Sequence, residues 1–252
     1  LSNRLIRETH KILLQTVRGE NKIPGDFRIS QNWIGGSSLA SAKFIPPNYR
    51  YIDELMGDVE RFIHNESNNV PHLIKIAILH YQFETIHPFL DGNGRVGRLL
   101  ITLYLVGQGI LNKPALYLSD YLERNRDEYY SHLTAIREKN QIIPWIKFFL
   151  KGIISTATNA KETFIKIIQL QKDMEVKLHS FGTKSEKINT ILNSFYDTPI
   201  LSVKDIVTRT GIADKTTRNM IELMLEEGLI KEMTGYGRNK LFIFEKYFNL
   251  FK

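Results

Sequence analysis

Twelve consecutive residues, His87-Pro88-Phe89-Leu90-Asp91-Gly92-Asn93-Gly94-Arg95-Val96-Gly97-Arg98, bring together an imidazole, a carboxylate, a glycine-rich turn and two guanidinium groups. Each type suits chemistry at a phosphate ester. An imidazole titrates near neutrality and can take a proton from a hydroxyl. Asp91 offers the hard oxygen ligand that Mg²⁺ prefers beside a polyphosphate. Gly92 and Gly94, flanking Asn93, permit a tight turn whose amide N–H groups converge on an anion. The following run, Leu99 to Val106, reads as a buried helix. The turn is therefore expected at a helix N-terminus, where unpaired N–H groups and the macrodipole favour phosphate. Arg95 and Arg98 are spaced to reach the same mouth, and their planar forks match phosphate oxygens. The alternative reading of the run is an ordinary loop–helix junction with a glycine turn.

This run resembles the signature of the Fic family, His-Pro-Phe-x-(Asp/Glu)-Gly-Asn-Gly-Arg-x-x-Arg, and matches it at every fixed position. The resemblance implies transfer of AMP from ATP to a Ser, Thr or Tyr hydroxyl of a target protein, with release of pyrophosphate. Carried over residue by residue, His87 deprotonates the acceptor hydroxyl and Asp91 holds Mg²⁺ against the phosphates. Gly92, Asn93 and Gly94 form the anion hole, and Arg95 and Arg98 bind the nucleotide's phosphates. Two other readings stay open. One is a Fic-fold transferase of another phosphate-containing group, or a kinase, although kinase variants carry Lys where this chain has Gly94. The other is a nucleotide-regulated DNA-binding regulator, which would have no need of the histidine base. The family's inhibitory pattern, Ser/Thr-x-x-x-Glu-Gly/Asn, pairs its glutamate with the second motif arginine, Arg98 here. Glu227-Gly228 does not complete it, because Leu223 stands where Ser or Thr is required. In relatives with this domain order the inhibitory helix precedes the core. The chain starts at Leu1 rather than Met, so an upstream segment is expected in a longer parent, repressed relative to this chain.

The elements that position these residues belong to a globular chain. At 252 residues, 42% hydrophobic and 24% charged, it is long enough for one large domain or two smaller ones. With no cysteine, disulfides, thiolate zinc sites and cysteine nucleophiles are excluded, and a cytoplasmic location fits. No apolar stretch approaches a membrane span and no signal-peptide pattern opens the chain. A net charge of +7 points weakly to polyanion partners.

Leu5, Ile6, Thr9, Ile12, Leu13 and Val17 recur at helical spacing until Gly19. Residues 27–47 read as a short β-hairpin or flap, with alternation around Ile29 and Trp33-Ile34 before Gly35-Gly36. In Fic proteins a flap at this place holds the target by strand pairing, which makes Asn32, Ile34, Gly35 and Gly36 the expected docking edge. A plain connecting loop is the alternative. Helices are expected over Ile52–Asn65, closed by the polar stretch 65–69, and over Pro71–Ile86, ended by Pro88. In the second, His80, Glu84 and His87 fall at i, i+4 and i+7; a satisfied core histidine and an orienting glutamate are favoured over a metal site. Phe89 is expected to pin the active loop from the core. In the segment after Pro114, resemblance to the family's adenosine-covering segment makes Tyr121, Asn125 and Tyr130 candidates for the base or ribose, with aromatic packing the equal alternative. A long helix from Lys147 to His179 follows, and its apolar side leaves a homodimer open.

Beyond Gly182 the order of helices, the Ser202 cap, the Thr210-Gly211 turn, a helix from Asp214 and two strands around a Gly235–Asn239 tip resemble a winged helix-turn-helix domain. By that resemblance Lys215, Thr216, Thr217, Arg218, Arg238 and Lys240 contact DNA. Residues 183–252 hold eleven Lys and Arg against nine Asp and Glu, a small surplus for DNA, so protein docking is an equal expectation. The fold expected is thus mainly α: a helical Fic core over 1–150 with a small β-hairpin flap at 27–47 and the motif at 87–98. A connecting helix over 151–182 and an α+β winged helix over 183–252 complete it.

Overall fold

The computed structural model describes residues 1–15, 23–65, 67 and 69–251. Val17 and Gly19, expected to close the first helix, lie outside the described residues, as do Glu66 and Asn68 of the polar stretch. The chain divides into two compact units, Leu1–Thr158 and Asn159–Lys252.

The first unit is built from helices α1 (Asn3–Gln15), α2 (Ile52–His64), α3 (His72–Ile86), α4 (Asn93–Gly107), α5 (Leu118–Arg124), α6 (Arg126–Lys139) and the first half of α7 (Ile142–Leu178). In α2 the stripe Ile52, Met56, Val59 and Ile63 is buried, and its charges complement the dipole: Asp53 and Glu54 open it, Arg61 and His64 close it. The buried Lys75 ammonium caps the far end, donating to the carbonyls of Ile63 (2.9 Å) and Asn65 (3.0 Å). Helix α3 is buried along most of its circumference, through Ile76, Ala77, Leu79, His80, Phe83, Glu84 and Ile86, and so forms the axis of the unit. It packs closely on α4 at Gly97, where a Cβ would lie 2.3 Å from Glu84 Oε1 and 3.2 Å from Phe83 Cδ1. From α7, Trp145, Phe148 and Phe149 complete the core, and the Trp145 indole N–H donates to the Ala77 carbonyl at 3.0 Å.

Three boundaries differ from the sequence expectation. Helix α4 starts at Asn93, not Leu99, so both motif arginines stand on the helix itself. Pro71 is the residue before α3 rather than within its first turn. Helix α7 begins at Ile142, ahead of the expected start at Lys147, and ends at Leu178. The expected hairpin over 27–47 is reduced to a single antiparallel bridge, Ile34 to Phe44, around a short 3₁₀ turn at Leu39–Ser41. Gly36 explains the tightness: any Cβ there would sit 2.1 Å from the Ser41 carbonyl oxygen.

The second unit contains the rest of α7, then α8 (Ser185–Asp197), β1 (Ile200–Ser202), α9 (Val203–Thr210), α10 (Asp214–Glu226), β2 (Lys231–Glu232), β3 (Leu241–Ile243) and α11 (Glu245–Phe248). Its three-stranded antiparallel sheet has the order β1-β3-β2, with Leu201 opposite Phe242 and Glu232 also opposite Phe242. Strand β1 was not visible as a strand in the sequence, being three residues long. Ser202 caps α9 in a capping box: its hydroxyl oxygen accepts from the Asp205 N–H, and Asp205 Oδ2 accepts from the Ser202 N–H. Ile188, Ile191, Phe195, Ile206, Met224 and Phe244 form its core. Among the described residues no helix is long and apolar enough to cross a membrane.

Candidate active site

Helix α3 stops at Ile86 because Pro88 disfavours helical geometry in the residue before it. His87 turns the chain in a left-handed conformation (φ 52°, ψ 58°) and returns its N–H to the Phe83 carbonyl at 2.9 Å. A non-glycine residue in that region costs about 1 kcal/mol or more, so the surroundings must hold it. They do. The His87 carbonyl accepts from Arg28 Nε (3.0 Å) and Asn32 Nδ2 (3.4 Å), and the Pro88 carbonyl accepts from the Arg28 N–H (2.8 Å).

The imidazole itself is only half-buried, but its Nδ1 is enclosed with no hydrogen-bond partner among the described residues. Burial pulls its pKa down to about 4; the Glu84 carbonyl and Asp91 oppose this, Arg28 and Arg137 reinforce it. Desolvation is the largest of these influences and prevails. The ring is therefore neutral and able to accept a proton across the physiological range.

The loop between His87 and α4 is held from inside. Asn93 is buried, and its side chain clamps Phe89 in both senses, accepting from the Phe89 N–H (2.9 Å) and donating to its carbonyl (2.7 Å). The Phe89 ring is fully buried and stacks on His10 at 3.8 Å with 9° between planes. His10 Nδ1 accepts from the Gly25 N–H (2.9 Å), which leaves Nε2–H to donate to the Asp91 carbonyl (3.0 Å). Gly92 then takes φ 78° to start α4.

This arrangement leaves a cluster of uncommitted groups at the mouth. Among the described residues the amides of Asn93 and Gly94 have no hydrogen-bond partner, as the first residues of a helix. Arg95 and Arg98 have neither an ion pair nor a hydrogen bond there. A Cβ on Gly94 would lie 3.8 Å from Arg98 Nη1, so this guanidinium folds back over the turn. Among the described residues the exposed Asp91 carboxylate accepts only from the Gly92 N–H, at 2.6 Å. One carboxylate, two amides and two unpaired guanidinium groups can together receive a polyanion and a cation bridging it.

Behind the mouth lies a second layer. His80 is the satisfied core histidine expected: Nδ1 donates to the Gly97 carbonyl and Nε2 accepts from the Tyr129 hydroxyl, both at 2.9 Å. Burial lowers its pKa to about 4. Glu84 is buried with Oε1 unpaired, and desolvation raises its pKa to about 7, against the opposing pull of Arg98 and Arg137. Arg137 reaches this layer from α6, donating from Nε to Thr85 Oγ1 at 3.2 Å.

Several expected site residues sit elsewhere. Asn32 is not on an exposed docking edge; it is 8% exposed and turned inward, donating to the Phe89 carbonyl at 2.9 Å. The reason is that the loop carbonyls need donors that the short motif cannot supply itself. Ile34 is partly buried, while Gly35 and Gly36 are exposed with φ of 69° and 74°. The Asn93 side chain holds the loop rather than facing a ligand. The Tyr121 ring packs on Phe148 and over Gly152, and Asn125 donates to the Tyr121 carbonyl at 2.8 Å. Tyr130 is 47% exposed, against Tyr129 and under Arg126.

In the second unit, Thr217 is fully buried and donates to the Ile212 carbonyl at 3.2 Å, which rules out a DNA contact by its side chain. Arg218 is held by both oxygens of Asp214 (2.7 and 3.2 Å), and Lys240 by Glu232 (2.8 Å). Lys215 and Arg238 are exposed, and among the described residues neither makes an ion pair. Sequence reasoning missed His10, Arg28 and Arg137 as supports of the site. An arginine between Phe27 and Ile29 was a faint signal; the other two carried none.

Residues 1–105 match the Fic/DOC family model. A probable protein adenylyltransferase of Aquifex aeolicus (strain VF5) is 37% identical over 119 residues, covering 47% of this chain and 32% of that protein. The protein adenylyltransferase Fic of Drosophila yakuba is 32% identical over 125 residues, 49% of this chain and 22% of that protein. The chain therefore spans between 22% and 32% of the length of these curated relatives. Among solved structures, a Fic family protein from Desulfovibrio desulfuricans G20 is similar with a TM-score of 0.55 at 22% identity, over 96% of this chain and 68% of that one. A Fic domain containing signaling protein from Bacteroides thetaiotaomicron VPI-5482 gives 0.51 at 22% identity, over 64% and 62%. These two likenesses show the fold.

Proposed function

We propose, from the premise that residues 1–105 are a Fic/DOC family domain, that the chain is a protein adenylyltransferase. The single observation carrying this reading is the juxtaposition of a neutral, left-handed His87 with the free amides, Asp91 carboxylate and unpaired arginines at the start of α4. The phosphates of ATP lie at the Asn93 and Gly94 amides, with Arg95 and Arg98 around them. The acceptor hydroxyl gives its proton to His87 as its oxygen bonds to the α-phosphorus, and the bond to pyrophosphate breaks. The protein's part is positioning and charge stabilisation.

Mg²⁺ fits this site on one ground. Asp91 presents a carboxylate largely free of partners beside the anion-binding amides. No cluster of three His, Cys, Asp or Glu groups exists among the described residues. An ion held by one carboxylate, with phosphates and water completing its shell, suits the octahedral habit of Mg²⁺. Bound there, it would neutralise phosphate charge.

We assign the second unit to the winged helix class from its order α8-β1-α9-α10-β2-β3 and its sheet order. The buried Thr217 and the paired Arg218 and Lys240 favour a protein-facing module over a DNA reader. Fluorescence anisotropy with duplex DNA at low salt tests this. Binding with a steep salt slope overturns it.

The decisive experiment is incubation with α-labelled ATP, Mg²⁺ and a cell lysate, beside His87→Ala. Label on protein with the wild type alone supports the reading. Transfer only from γ-labelled ATP would instead mean a kinase. Because the histidine acts on the hydroxyl, His87→Ala should abolish transfer and spare ATP binding; equal loss of both contradicts its role.

A further inference from the structure

Two arginines outside the motif converge on the chain that carries His87, and each also grips the flap. Arg28 is 2% exposed and distributes its guanidinium over backbone carbonyls alone. These are His87 (3.0 Å), Ile86 (3.4 Å), Ser30 (3.1 Å) and Pro47 (2.5 Å). Ser30 and Pro47 are the two ends of the flap. Arg137 comes from α6, donates to Thr85 Oγ1 and reaches the Glu84 carbonyl at 3.5 Å, so it is tied to the last turn of α3. Its guanidinium carbon lies 3.8 Å from the centroid of the Phe44 ring. Phe44 is the flap residue bridged to Ile34: the Ile34 N–H donates to the Phe44 carbonyl at 2.9 Å, and the Phe44 N–H donates back at 3.2 Å.

Neither arginine has a carboxylate ion-pair partner among the described residues. A buried guanidinium without one costs desolvation, which appears as a lowered pKa in both. Stability alone gives little reason to retain such groups. What both do is fix one geometry. The rigid fork of arginine holds several acceptors at once, which a lysine cannot do.

We propose that Arg137 and Arg28 are positioning residues that lock the flap's Ile34–Phe44 edge to the end of α3, so that an acceptor segment lying on that edge meets the His87 imidazole at a set distance. Arg28 fastens the base of the flap and Arg137 its returning arm. The inference rests on the adenylyltransferase reading for its consequence, and on the flap contacts for its geometry. A displacement of about an ångström between acceptor and base is enough to cost on the order of a hundredfold in rate.

The test uses the full chain as wild type, Arg137→Gln, Arg137→Lys, Phe44→Leu, the Arg137→Gln/Phe44→Leu double variant and Arg28→Lys. Amide hydrogen exchange at Ile34 and Phe44 reports the flap lock directly, and should speed up at least about tenfold in each variant. Transfer of label from α-labelled ATP to lysate proteins should fall about tenfold to a hundredfold in kcat, with the KM for ATP unchanged. The double variant should be no worse than the poorer single one, and Arg137→Lys should fail to rescue. Unchanged flap exchange overturns the proposal, as does additivity of the two changes. A rise in the ATP KM matching the fall in kcat would make Arg137 a nucleotide ligand and also overturn it. If Arg28→Lys does not fold, the Arg137 and Phe44 variants decide alone. If the wild type transfers no label, the enzymatic reading fails, while exchange at Ile34 and Phe44 still decides the lock.

Discussion

Glu84→Gln should change how the stability of the first unit depends on pH, by an amount that can be worked out. Burial raises the Glu84 pKa from 4.5 to about 7. In that window the unfolded chain ionises while the native carboxyl stays protonated, so the native state loses its advantage as pH climbs. Each pH interval costs about 1.36 kcal/mol, so the window from 4.5 to about 7 amounts to roughly 3 kcal/mol. His80, with its pKa lowered from 6.5 to about 4, works in the opposite direction. Its contribution is present above pH 6.5 and is lost as pH falls toward 4, again by roughly 3 kcal/mol. His10 and His87, also lowered, add to the histidine side. Glu84 therefore offsets about one of these histidines, and the wild type should on balance lose stability as pH falls from 6.5 to 4.5.

Glutamine keeps the shape of glutamate and removes the titration. It also brings an amide N–H₂ into a site with no acceptor for it, an offset of about 1–3 kcal/mol that does not vary with pH. The slope is thus the observable. Both tryptophans, Trp33 and Trp145, lie in the first unit, so tryptophan fluorescence excited near the red edge, where tyrosine does not absorb, follows that unit during urea denaturation. The stability of Glu84→Gln minus that of the wild type should rise by roughly 3 kcal/mol from pH 4.5 to above 7. A difference that stays flat or falls would refute a buried, neutral Glu84.

Three further outcomes follow from the same geometry. With the free His87 titrating at about 4, the acid limb of kcat/KM for label transfer should fall below pH 5; a limb near 6.5 would show a hydrated imidazole. Gly97→Ala places a methyl 2.3 Å from Glu84 Oε1 and should destabilise the first unit by about 1–3 kcal/mol, read as a lower urea midpoint by tryptophan fluorescence. Ser202→Ala removes the capping box of α9 and should cost about 1 kcal/mol, seen as faster exchange of the Asp205 amide with the first unit unaffected.

The motif was legible because its chemistry is local. Twelve residues contain the base, the carboxylate, the turn and both arginines, and a glycine-flanked turn before an apolar run can only open a helix. The helices of the first unit were legible for the related reason that their apolar spacing is regular. Their ends were less so: α4 starts six residues before its apolar run, since Asn93 to Arg98 contribute backbone geometry rather than hydrophobicity. Strand β1 offered three residues of pattern, too few to separate from the loop before α9.

The supports of the motif were illegible for a different reason. His10, Arg28, Asn32 and Arg137 lie far from it in sequence, and they act on main-chain atoms, which every residue has. Arg28 bonds to four carbonyls, Asn32 to two and His10 to the Asp91 carbonyl and the Gly25 amide. No side-chain pattern records such a partner. The need for them was nevertheless implicit in the motif: a histidine before a proline, followed by a loop with two glycines, exposes carbonyls at 86–91 that no regular ladder can satisfy. Buried donors must arrive from elsewhere, and a polar residue in an otherwise apolar context, as Arg28 is between Phe27 and Ile29, is the only trace they leave. In a site of this kind the motif identifies the chemistry, while its unsatisfied backbone identifies how many distant donors the fold has to bring.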